Sequence, residues 1–145
     1  GNHSSTQYPH IDYGVLDNNE IAIPLVPLIN DKQWIEDEFI KTVQQRGAKI
    51  IEARKLSSAA SAASSACDHI RDWVLGTNDN SWVSMGVYSE GQYGAARDVV
   101  FSFPVTCKDG EWSIVQGLKL SDFAKSKIEL TSNELLEEKE MALKK

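Results

Sequence analysis

The fold turns on one stretch, DKQWIEDEFIKTVQQRGAKIIEARKLSSAASAASSACDHIRDWVL, residues 31–75. No proline interrupts it. Its apolar residues recur as Trp34, Ile35, Phe39, Val43, Ile50, Ile51, Ile70, Trp73 and Val74, spacings that suit a helix. Asn30 or Asp31 is placed to cap its start, with acidic residues in the turns that follow. Gly76 is placed to end it as the residue just past the helix. About 44 helical residues would span roughly 66 Å. A compact domain of this length is only about 40 Å across. The helix must therefore bend, break or project toward a partner. Gly47 lies inside it, where glycine costs about 1 kcal/mol against alanine. A bend, or a close backbone approach, would justify that cost.

Outward from this helix the character changes. Upstream, Ile11–Leu16 and Ile21–Val26 flank Asp17-Asn18-Asn19 and predict a hairpin, with Pro24 and Pro27 confining or ending its second strand. Downstream, Trp82–Tyr88, Asp98–Val105 and Glu111–Val115 read as strands. Lys108-Asp109-Gly110 joins the last two, and Asp-Gly suits a type I′ turn. Thr131-Ser132-Asn133-Glu134 has the form of a capping box. It predicts a terminal helix with Leu135, Leu136, Ala142 and Leu143 on one stripe. The pattern is α+β, with antiparallel strands, one long interrupted helix and a C-terminal helix.

The totals bound the function. The chain has 145 residues and a net charge of −6, a surface that repels phosphate backbones, so nucleic acid is not an expected partner. No apolar run reaches the length needed to span a bilayer, so neither is a membrane. No glycine-rich phosphate loop is present, so a nucleotide must be held by something else. Cys67 and Cys107 are isolated thiols, read as reduced cysteines of a cytoplasmic protein. No metal site is expected. His69 stands two residues from Cys67, so on a helix the two point apart.

On composition alone, residues 1–13 are a polar, turn-rich tail and His3 carries no weight. A resemblance changes that. GNHSSTQYP, residues 1–9, looks like the catalytic-histidine stretch of cytosolic-type malate dehydrogenases, in the lactate/malate dehydrogenase superfamily. TVQQRGAKIIEARKLSSAASAA, residues 42–63, resembles that family's long helix over the active site. VSMGVYSEG, VFSFPV and LTSNELLEEKE follow in the family's order, so the resemblance covers nearly the whole chain.

The resemblance implies that residues 1–145 form one substrate-binding and catalytic C-terminal domain, with the dinucleotide-binding domain absent from this chain. It implies an NAD-dependent interconversion of malate and oxaloacetate. His3 would be the acid/base, a role histidine suits because it gains and loses a proton near neutral pH. Ser57 would line the substrate pocket beside the cofactor amide, with Ser58 next to it. Gly47 would lie where backbone passes near the site. The partners implied are an N-terminal dinucleotide-binding half and a second copy in a homodimer. The carboxylate that orients the histidine and the arginines that grip the dicarboxylate sit upstream in the family, so this chain alone is expected to be inactive. Two alternatives stand beside this reading. One is a dehydrogenase of another 2-hydroxy acid. The other is a non-enzymatic domain that dimerises through its small-residue helix.

Overall fold

A computed structural model describes residues 6–17 and 21–144. The expected hairpin forms, with short strands β1 (Val15–Asp17) and β2 (Ala22–Pro24). They pair antiparallel, with Leu16 opposite Ile23. Asn18 and Asn19 of the expected turn lie outside the described residues. Gly14 leads into β1, and its carbonyl accepts from Leu25 N at 2.8 Å. A Cβ there would stand 2.8 Å from Leu25 Cδ1 and 3.2 Å from Ile11 O, so a side chain at this position would make the Leu25 side chain shift. The strand ends at Pro24, and α1 (Leu25–Ile29) follows. Pro27 sits in its first turn, where a missing N–H leaves no bond unmade.

Asp31 caps the long helix, its side chain accepting from Trp34 N at 2.9 Å. The helix runs as α2 (Lys32–Trp34), a π-helical turn (Ile35–Phe39) and α3 (Ile40–Arg54). It then breaks before α4 (Ala59–Leu75). Gly47 is not the bend. It sits inside α3, and the break falls at Lys55, which adopts a left-handed φ of 56°. Lys55 N still bonds Ile51 O at 2.8 Å, which closes the last turn and redirects the chain. Gly76 stops α4 as expected, with a φ of +87°.

Three antiparallel strands follow in the order β3 (Val83–Tyr88), β4 (Val100–Lys108) and β5 (Glu111–Ile114). Between β4 and β5, Asp109 (φ 54°) and Gly110 (φ 81°) both take the positive angles of a type I′ turn. Strand alternation sends Met85, Val87, Phe101, Phe103, Val105 and Cys107 to one buried face. Fully burying a side chain of this kind contributes about 1.5–3 kcal/mol, so this face is the core. Ile128 and Leu135 of α5 (Asp122–Leu143) pack against it. The α4 end is tied to the β4–β5 edge, where Trp73 Nε1 donates to Gly110 O at 2.6 Å and Thr77 N to Cys107 O at 3.0 Å.

The terminal helix departs from expectation. It starts at Asp122, nine residues before Thr131, with Ser121 Oγ as the cap accepting from Ala124 N at 3.1 Å. Thr131 and Ser132 are buried within it, because their hydroxyls serve distant partners and not the helix end. The buried face is Ala124, Thr131 and Ser132, with Ile128 and Leu135 against the core, whereas Leu136 and Leu143 are exposed. Cys67 is exposed, Cys107 is buried, and both are free.

Candidate active site

His3 lies outside the described residues. Thr6, Gln7 and Tyr8, the first described residues, are held by two helices. Gln7 Nε2 donates to Val43 O of α3 at 3.1 Å, and Gln44 Nε2 of α3 donates to Gln7 O at 2.8 Å. The Thr6 hydroxyl donates to the Glu134 carboxylate of α5 and lies 3.2 Å from the Thr131 hydroxyl. Tyr8 then packs its ring edge-on to Phe123, centroids 6.0 Å apart. Two helices far apart in sequence therefore grip consecutive residues of the N-terminal segment. Nothing local in the sequence marked Thr6, Gln7, Gln44, Thr131 or Glu134 for this role. The available signal was the helix stripe through Ala124, Ile128 and Leu135, which places Thr131 inward and so in need of a polar partner.

Tyr8 supplies no acid or base at neutral pH. Burial pushes the Tyr8 phenol up to about 12, with the negative charges of Asp12 and Glu36 adding to the shift. His10 packs against the Tyr8 and Tyr13 rings. Its Nε2 lies 3.0 Å from Asp12 Oδ2, close enough for an ion pair when protonated but not aligned as a hydrogen bond.

Ser57 and Ser58 do not sit within the long helix. They occupy the turn that follows Lys55, and Ser58 opens α4. Ser57 is exposed, and its Oγ accepts from Ala59 N at 3.2 Å. That bond uses a lone pair and leaves the hydroxyl proton to donate elsewhere. Ser58 Oγ lies 3.9 Å from where a Gly47 Cβ would be. The structure thus sets Ser58 opposite Gly47 across the break, at a distance that would be ordinary van der Waals contact for a Cβ.

A cavity of about 670 Å³ is lined by Tyr8, His10, Tyr13, Trp82, Ser84 and Ser102 among others. None of Gly47, Ser57 and Ser58 lines it, so it is separate from the helix-break turn. Two separate features stand beside the sequence candidates: the held segment from Thr6 to Tyr8 and the Ser57–Ser58 turn. Among the described residues, no group of three His, Cys, Asp or Glu side chains gathers to hold a metal. No helix among them is long and apolar enough to cross a membrane.

Comparison with known proteins bears on this geometry. The family described as lactate/malate dehydrogenase, alpha/beta C-terminal domain, matches residues 1–145. A Mesembryanthemum crystallinum protein named "Malate dehydrogenase, cytoplasmic" is 58% identical over 142 residues, covering 98% of this chain and 43% of that protein. The crystal structure of malate dehydrogenase from Naegleria fowleri superposes with a TM-score of 0.83 at 46% identity, over 97% of this chain and 41% of that one. Trichomonas vaginalis lactate dehydrogenase, solved with NADH and oxamate, superposes with a TM-score of 0.88 at 32% identity, over 99% of this chain and 44% of that one. The chain spans less than half the length of the curated relatives it matches.

Proposed function

Because this chain belongs to the lactate/malate dehydrogenase family, matching its alpha/beta C-terminal domain, we propose that residues 1–145 are the substrate-side catalytic domain of a cytoplasmic NAD-dependent malate dehydrogenase. The observation that carries this reading is the 58% identity with a cytoplasmic malate dehydrogenase over 98% of the chain.

In this reading His3 is the acid/base. Its imidazole takes the hydroxyl proton as malate is oxidised and returns it to the carbonyl oxygen as oxaloacetate is reduced. Ser57 keeps a hydroxyl proton free to donate, which suits a substrate carboxylate or the carboxamide of a nicotinamide. Ser58 and Gly47 shape the turn that presents it. The Ser57 donor fits NAD, which when bound supplies the hydride acceptor. The chain has no glycine-rich phosphate loop, so the phosphates belong to an N-terminal half. The arginines and the histidine-orienting carboxylate belong there too. The isolated chain is accordingly inactive. The exposed Ala and Ser side chains of α4 suit close two-fold packing in a homodimer.

A second reading has one observation in its favour. The Trichomonas vaginalis neighbour, at a TM-score of 0.88, is a lactate dehydrogenase. Turnover of the complete polypeptide with NADH and either oxaloacetate or pyruvate separates the two. Preference for oxaloacetate of at least about a hundredfold in kcat/KM supports the malate reading. Preference for pyruvate replaces it with the second.

A further inference from the structure

We propose that the cavity between segment 8–15 and strands β3 and β4 is a binding site for an uncharged aromatic molecule that carries a hydroxyl group, with His10 as its polar anchor. At about 670 Å³ the cavity falls within the range of small-molecule sites, about 300–1,000 Å³. Tyr8, Tyr13, Trp82, Tyr93 and Phe103 give it aromatic walls. Among the described residues that line it, none is Lys, Arg, Asp or Glu. His10 is the lining residue that can carry a positive charge, and Asp12 Oδ2, 3.0 Å from its Nε2, offsets that charge when it forms. An ion entering such a place gives up its water without gaining an opposite charge. An aromatic ring loses little hydration and gains ring contacts. The lining therefore selects for aromatic shape and against charge.

The walls are set before any ligand arrives. The His10 ring packs against those of Tyr8 and Tyr13, with centroids 5.5 and 6.0 Å away. Trp82 continues the row, edge-on to Tyr13 at 6.2 Å. The Tyr13 hydroxyl donates to Lys119 O at 2.9 Å and accepts from Lys119 N at 2.6 Å, so its ring cannot swing without breaking both bonds. The Tyr93 hydroxyl is tied to the Val115 carbonyl in the same way. Walls already fixed lose little freedom when a ligand enters. One group in this row is incomplete. His10 Nε2 is buried, and among the described residues it has no hydrogen-bond partner. Such an atom is unfavourable left unbonded, and it calls for an explanation. A ligand hydroxyl completes it, because a hydroxyl donates to a bare imidazole nitrogen and accepts from a protonated one. Ser84 and Ser102 add two more hydroxyl-bearing residues to the lining. The proposal is independent of the malate reading.

The test titrates the complete polypeptide with 2-naphthol, which is neutral near pH 7, and with naphthalene-2-sulfonate, the same ring system carrying a fixed negative charge. Calorimetry gives each Kd, and steady-state kinetics with oxaloacetate and NADH give the mode of any inhibition. The expected Kd for 2-naphthol is about 1 mM or tighter, which a ligand of this size reaches at ordinary efficiency per atom. Naphthalene-2-sulfonate binds at least about tenfold more weakly. His10→Leu weakens 2-naphthol about fivefold, the loss of one hydrogen bond. Ser84→Trp, which fills the cavity from an exposed strand position, abolishes binding and keeps the test open if His10→Leu does not fold. No binding of 2-naphthol up to its solubility limit, or equal binding of the two compounds, would overturn the proposal. Wild-type affinity in a folded His10→Leu variant would overturn the anchor. Binding kept by Ser84→Trp, or competition with oxaloacetate or NADH, would put the ligand in another pocket and overturn the site. None of these outcomes touches the malate reading, which stands or falls on oxaloacetate turnover.

Discussion

Ser58 Oγ sits 3.9 Å from the point where Gly47 would carry a Cβ, across the break between α3 and α4. That separation is ordinary van der Waals contact, so the site has room for a methyl group but for little more. Gly47 is also an exposed residue in regular helix, where alanine is favoured by about 1 kcal/mol. Gly47→Ala is therefore expected to raise the urea midpoint by an amount equivalent to about 1 kcal/mol. A lowered midpoint would show that the turn needs a bare backbone at this position.

Ser132 makes the complementary case in α5. Its Oγ accepts from Ala96 N at 3.1 Å, and Ser132 is only 4% exposed. Removing the hydroxyl leaves a backbone N–H without its partner, which costs about 1–3 kcal/mol. Ser132→Ala is expected to lower the denaturation midpoint by that amount. No change would mean that this bond adds nothing to the docking of α5 on the 89–97 loop.

Tyr8 sets an alkaline limit. Burial holds its pKa at about 12, above the ordinary value of 10.0. The folded state then keeps a proton that the unfolded state has released. That stabilisation is complete below pH 10, and it is lost as pH rises from about 10 toward 12. The measurement is the thermal midpoint of wild type and Tyr8→Phe across that window. Wild type should fall more steeply than the variant. Parallel curves would place the Tyr8 phenol in an environment no different from solvent.

Ser57 carries the substrate-side prediction. Its hydroxyl has a proton to donate, and a hydrogen bond to a charged group contributes about 1.5–3 kcal/mol. Ser57→Ala is expected to lower kcat/KM for oxaloacetate by at least about tenfold in the complete polypeptide. A wild-type value would assign Ser57 to the local turn alone.

Much of the fold was legible because its signals are local. Asp109-Gly110 needs only its two positive φ angles to specify the turn, and Asp31 caps the helix three residues ahead of it. The misreadings share one cause. Thr131-Ser132-Asn133-Glu134 has the composition of a helix start, but Thr131 and Glu134 answer to Thr6, and Ser132 to Ala96. Those partners lie far outside any local window. Gly47 left a bend and a close backbone approach both open, because a helical glycine needs a reason and propensity cannot tell the two apart. Lys55 carries the actual break, and a lysine gives no forewarning of a left-handed φ. The helix-break serines were legible as candidates through resemblance, and of the hold on Thr6 and Gln7 only the inward position of Thr131 on its helix stripe was legible.

The most direct test of the account is His3→Asn in the complete polypeptide, measured as NADH oxidation by oxaloacetate. The account predicts a fall in kcat of about a thousandfold, with NADH affinity unchanged, because only the proton-transfer group is removed. A variant within tenfold of wild type would show that another residue moves the proton, and would contradict the central role given to His3.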